Sequence, residues 1–148
     1  YTLHLGGEAF TVAYDPGEGT SGMFGGNSNW RGPIWFPTSY LLIESFSKFS
    51  QAFGPEFKVE APATNGKAVT PHEMAREVAN RMIGMFTKDK AGRRRIYGGT
   101  EKFQQDPHWR DLLLFNEYFH GDNGAGLGAN HQTGWTGLVA NLIDEWRR

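Results

Sequence analysis

The sequence predicts a mainly α fold in which a few amphipathic helices carry long loops rich in glycine and aromatic residues. Apolar residues recur at helical spacing in three segments, and Gly/Pro turn signals separate them. The connections between these segments are longer and more aromatic than those of a compact helical bundle, so the helices read as members of a larger array.

The chain opens with two β-prone runs, Tyr1 to Leu5 and Phe10 to Tyr14, joined by Gly6-Gly7-Glu8-Ala9. They read as a hairpin whose loop uses the positive φ that glycine permits, and Asp15-Pro16-Gly17 ends it. From Pro37 to Phe53 the residues Leu42, Ile43, Phe46, Phe49 and Phe53 share one helical face, and Gly54-Pro55 supplies the stop. Phe57 to Glu60 and Lys67 to Val69 flank the turn dipeptide Asn65-Gly66, which fits a small hairpin or a plain excursion. Thr70-Pro71-His72-Glu73 is a capping box with proline at the first helical position. Met74, Val78, Met82 and Phe86 follow at four-residue spacing with Ile83 beside them, giving a helix to about Thr87. A polar stretch from Lys88 to His108 leads to the apolar run Leu112 to Phe119, which suits a short strand or one helical turn. Trp135, Leu138, Val139, Leu142, Ile143 and Trp146 then mark a closing amphipathic helix.

The 148 residues have the length of one domain or part of one, spanning 1–148, and 39% hydrophobic with 21% charged residues is ordinary for a soluble protein. The chain starts at Tyr1 in a strand, without methionine, so a piece of a longer polypeptide is expected. A net charge of −1 supplies no field to steer a nucleic acid or to hold a membrane surface. The short run Arg93-Arg94-Arg95 reads as a solvated turn. Cysteine is absent, which removes disulfides and thiolate metal sites. No apolar run approaches the ~20 residues of a membrane span. The compartment stays open, with a soluble, cytoplasmic protein favoured.

Aromatic residues at 14% and the 20 glycines are both enriched, and they coincide in two loops. The first, Gly25 to Trp35, brings together Gly26, Asn27, Trp30, Arg31, Gly32, Pro33 and Trp35. Indole faces stack on the C–H faces of sugars, and guanidinium and amide groups make paired hydrogen bonds to vicinal hydroxyls. Glycine lets backbone approach a ligand closely. The competing structural reading makes Trp30 and Trp35 core aromatics and Arg31 a helix cap or ion-pair partner. The second loop runs from Phe115 through Glu117, Tyr118 and His120 to Gly128, followed by His131, Gly134 and Trp135. Glu117 stands alone as a charge between Asp111 and Asp122 among leucines and aromatics. A carboxylate in such company is either at an exposed strand end or held for use, and it is the candidate general base.

Three other patterns fail on spacing. Gly124-Ala125-Gly126-Leu127-Gly128 lacks the spacing and the βαβ setting of a dinucleotide loop. Asp122-Asn123-Gly124 lacks the remaining ligands of a calcium loop. His4, His72, His108, His120 and His131 never fall at metal-ligand spacing, so neither metal nor cofactor is expected, although His120 and His131 could touch ligand.

With Gly25 to Trp35, Gly98-Gly99-Thr100-Glu101-Lys102-Phe103 and Glu117 through Trp135 in view, nearly the whole chain resembles the C-terminal part of glycoside hydrolase family 63, which includes mannosyl-oligosaccharide glucosidases and mannosylglycerate hydrolases. The resemblance implies an (α/α)6 barrel, of which this chain would be the C-terminal segment, with small β-hairpins and long active-site loops. It also implies hydrolysis of α-glucosidic or α-mannosidic bonds with inversion, by an acid and a base roughly 6.5–9.5 Å apart. By the same resemblance Glu117 is the general base. Asn27, Trp30, Arg31, Gly32, Pro33 and Trp35 would line the pocket, and Gly134 with Trp135 would close it. The family's general acid, an aspartate, falls in the half of the barrel that precedes this segment. The implied partners are therefore a carbohydrate substrate and the remainder of the barrel, and this chain alone is expected to be inactive. A rival of a different class is a non-catalytic carbohydrate-binding module using the same loops. A nucleotide-binding domain is the weaker third reading.

Overall fold

The computed structural model describes residues 1–22, 30–60 and 64–147. An N-terminal hairpin pairs β1 (Thr2–Leu5) with β2 (Glu8–Thr11), Leu3 opposite Phe10 and Leu5 opposite Glu8. The second strand begins two residues earlier than the sequence suggests. Gly6 and Gly7 both hold positive φ, 61° and 86°, and so close a two-residue turn of the kind that matches strand twist.

Helix α1 (Phe36–Phe53) has Pro37 in its first turn, where a missing N–H costs nothing, and ends on Gly54 at φ 75°. A short hairpin, β3 (Val59–Glu60) with β4 (Ala68–Val69), leads into α2 (Pro71–Phe86). The capping box is complete: the Glu73 N–H donates to Thr70 Oγ1 at 3.2 Å, and the Thr70 N–H donates to Glu73 Oε2 at 2.8 Å. Two elements in the polar stretch escape the sequence reading, a 3-10 turn (Arg95–Tyr97) and the short helix α3 (Glu101–Gln105). They form because Gln104 ties the backbone locally, accepting from the Arg94 N–H at 3.0 Å and donating to the Arg94 carbonyl at 2.8 Å. The apolar run resolves as strand β5 (Tyr118–Phe119), paired with β6 (Gly126–Leu127). A 3-10 turn (Thr136–Leu138) enters the last helix, α4 (Val139–Trp146).

Helix α2 packs against both α1 and α4. Its buried side is Ala75, Ala79, Met82, Ile83, Met85 and Phe86, with Phe36 and Ile43 of α1, Leu142 of α4 and Phe119 of β5 completing the core. Two alanines at four-residue spacing let the helices approach closely, so the seam runs beside the Met74/Val78 line that periodicity alone favours. Helix α1 departs further from expectation, since Leu42, Phe49 and Phe53 of its apolar face are exposed. The Arg93-Arg94-Arg95 run is not a simple solvated turn. Arg93 pairs bidentately with Glu101, and Arg94 donates to the otherwise open Phe86 carbonyl at the end of α2. Among the described residues no helix is long and apolar enough to cross a membrane.

Candidate functional site

Strand β5 pairs with β6 on one side and is tied to Ile34 by an antiparallel bridge on the other. The Ile34 N–H donates to the Phe119 carbonyl at 2.7 Å and the Phe119 N–H returns to the Ile34 carbonyl at 2.9 Å. Residues one step along, Trp35 and Tyr118, then share the opposite face from Phe119, because side chains alternate across extended backbone. Phe119 goes to the core and the Tyr118 ring stacks on Trp35, centroids 4.7 Å apart and planes 18° apart. Trp30 covers the other face of Trp35 at 4.9 Å and 9°. Trp135 meets Trp35 edge-on at 5.9 Å.

The two tryptophans of the first loop therefore have different roles. Trp35 is 3% exposed with both faces covered, so it supports the stack and offers no free face to a sugar. Trp30 is 56% exposed and provides the open one. Arg31 is exposed, and Pro33 is buried. Gly32 holds φ 91°, and a methyl group there would lie 2.1 Å from the Asp15 carbonyl oxygen. Gly26 and Asn27 lie outside the described residues.

Glu117 is half-buried next to this stack. Its N–H donates to the Ala129 carbonyl at 2.7 Å, and its Oε2 accepts the Ala129 N–H at 3.2 Å. The carboxylate is thus fixed through one oxygen, while Oε1 has no partner among the described residues. Gly128, at φ 67°, leaves the room: a Cβ there would stand 2.6 Å from Tyr118 Cε1 and 2.7 Å from Glu117 Oε2. Burial pushes the Tyr118 hydroxyl above its ordinary pKa, and the nearby charges of Glu18 and Glu117 add to the effect.

The closing loop is tied down from the other side. The Thr136 hydroxyl donates to the Asn116 carbonyl at 2.6 Å in a buried bond, and the Gln132 N–H donates to the Phe115 carbonyl at 2.8 Å. These bonds bring Trp135 to the stack, whereas Gly134 and His131 stay exposed. The Trp135 indole N–H is buried without an acceptor among the described residues. The His120 Nδ1 accepts the Asp122 N–H at 3.2 Å, and its ring lies over Gly17. Among the described residues no three His, Asp or Glu side chains converge to hold a metal ion.

Sequence reasoning missed Glu18. Its carboxylate reaches the Tyr118 hydroxyl at 3.5 Å across a separation of 100 residues, which no local pattern announces. The available signal was its flanking by Pro16-Gly17 and Gly19.

A tethered half-buried carboxylate beside Tyr118 can accept a proton from water or from a sugar hydroxyl. Comparison with known proteins finds relatives of this chain. Over 147 residues, 98% of this chain, it is 50% identical to the uncharacterized protein YMR196W of Saccharomyces cerevisiae. A second relative is 24% identical over 120 residues, 81% of this chain. It is a probable mannosyl-oligosaccharide glucosidase of Schizosaccharomyces pombe. The chain spans 14% and 11% of the lengths of these two relatives. No protein-family signature and no solved structure matches it.

Proposed function

We propose that this chain is the C-terminal segment of an (α/α)6-barrel glycosidase that hydrolyses α-glucosidic or α-mannosidic bonds with inversion. The observation that carries the reading is Glu117, anchored through Oε2 to the Ala129 N–H beside Tyr118, with no partner for its other oxygen among the described residues. In this reading Glu117 is the general base. Ionised, it draws a proton from a water that attacks the anomeric carbon, while an acid on the opposite side of the ring protonates the departing oxygen. The sugar rests on the open face of Trp30, with Arg31, Gly32 and the Gly134–Trp135 turn around it, and Trp35 and Pro33 hold that wall from behind. The similarity to a probable mannosyl-oligosaccharide glucosidase supports the same chemistry. The acid lies in the remainder of the barrel. Without it proton donation is lost, commonly worth about 10²–10⁴-fold in rate, so the 148 residues alone are inactive.

The test uses the full-length protein against α-glucosides and α-mannosides, with the product anomer read by proton NMR. Wild type should release the inverted anomer, and Glu117→Gln should abolish release while sugar binding persists. A protein that binds sugars with Glu117 intact and turns none over is a binding module, and the hydrolase reading falls. Turnover by the isolated segment, lost on Glu117→Gln, would overturn the claim that the acid lies elsewhere.

A further inference from the structure

We propose that Glu18 is a second sugar-binding carboxylate of this site, accepting one particular substrate hydroxyl beside Tyr118. This rests on the site taking a carbohydrate, though not on its hydrolysing one. The loop that carries Glu18 is not a free surface excursion. The Gly121 N–H donates to the Pro16 carbonyl at 2.7 Å, and the Tyr14 hydroxyl donates to Asp122 at 2.9 Å just before the loop begins. Gly32 packs so closely on Asp15 that a methyl group would meet its carbonyl oxygen at 2.1 Å, and one on Gly17 would meet His120 Cδ2 at 3.1 Å. Residues 14–17, the Gly32 turn and the turn after β5 therefore interlock through backbone and glycine contacts, and Glu18 is delivered to the same aromatic stack as Glu117.

What Glu18 does there is not explained by folding. The Tyr118 ring is 2% exposed and already held by Trp35, yet its hydroxyl has only a long 3.5 Å approach to Glu18 Oε1. A bond of that length adds little to stability. Glu18 itself is exposed, and its second oxygen has no partner among the described residues. Among the described residues, Glu18 and Glu117 thus each present an unpartnered carboxylate oxygen near one tyrosine. Sugar rings carry sets of hydroxyl donors at fixed spacing, and hydrogen bonds to an ionised acceptor are about twice as strong as neutral ones. Two carboxylates beside one tyrosine, Glu18 and Glu117, can accept two hydroxyls of a single sugar ring.

Binding of α-glucosides, α-mannosides and their monodeoxy analogues tests this by calorimetry, using full-length protein carrying Glu117→Gln so that turnover does not intervene. With Glu18 present, one deoxy position should cost roughly tenfold or more in affinity. With Glu18→Gln or Glu18→Ala added, the cost at that position should largely vanish while the costs at the others stay. A purely structural role weakens all analogues alike, and that result, or unchanged costs throughout, overturns the proposal. Circular dichroism melts of each variant establish that the comparison is between folded proteins. If hydrolysis is absent but the position-specific effect appears, Glu18 stands and the hydrolase reading falls. If no sugar binds at all, both fall.

Discussion

Gly128 controls the position of Glu117 by having no side chain. Its φ of 67° favours glycine, and the space where a Cβ would sit is taken by the Tyr118 ring edge and Glu117 Oε2. Gly128→Ala should therefore cost about 1–3 kcal/mol in stability. On the proposed reading of Glu117 as general base, it should also lower kcat in the full-length protein by about 10²-fold, as a displacement near 1 Å does to a catalytic group. A thermal melt and a rate measurement on one preparation check the two effects, and an unchanged kcat would show that Glu117 is not held as described. The contrast between Trp30 and Trp35 gives a second expectation. Trp30→Ala removes the open face and, on the proposed reading of a sugar site, should weaken sugar binding with little change in melting temperature. Trp35→Ala opens a void between two stacked rings and should cost about 3–5 kcal/mol.

Within elements, α2 shows how a local motif can be tested apart from the core. Thr70→Ala removes the acceptor for the Glu73 N–H and should cost about 1 kcal/mol. Glu73 adds a pH dependence. Its hydrogen bonds to the Thr70 N–H and hydroxyl hold its pKa below the ordinary 4.5. A depressed folded-state value means stability that is present above pH 4.5 and lost as pH falls through the lower value. Acid titration followed by circular dichroism should show part of the destabilisation below pH 4.5 disappearing in Glu73→Gln. The residues of this cap are contiguous, so the start of α2 was legible from sequence. Which face of α2 is buried was less so: Ala75 and Ala79 are weakly hydrophobic, and they enter the core because small side chains allow α1 and α4 to approach.

Among the described residues, α1 leaves an aromatic strip uncovered. Phe49 and Phe53 of α1 are 51% and 58% exposed, and they stack in series with Phe57. A contiguous aromatic strip of this kind drives association when nothing covers it. The isolated 148-residue chain should self-associate in sedimentation velocity, and Phe49→Lys with Phe53→Lys should return it to monomer. Persistence of the oligomer in that double variant would move the contact elsewhere, to the N-terminal hairpin with exposed Leu3, Leu5 and Phe10.

The sequence by itself determined the amphipathic helices α1, α2 and α4, the N-terminal hairpin, the capped start of α2 and the two loops where aromatic residues and glycines gather. All of these depend on spacing within about twenty residues, over which propensity, periodicity and turn chemistry act. Only the tertiary structure decided that Trp35 is covered while Trp30 is open, that Glu117 is tethered to Ala129, and that Glu18 stands beside Tyr118. These outcomes follow from the Ile34–Phe119 bridge and from the packing of Gly17, Gly32 and Gly121. Such contacts join residues up to about a hundred positions apart, and their partners have no periodic relation along the chain.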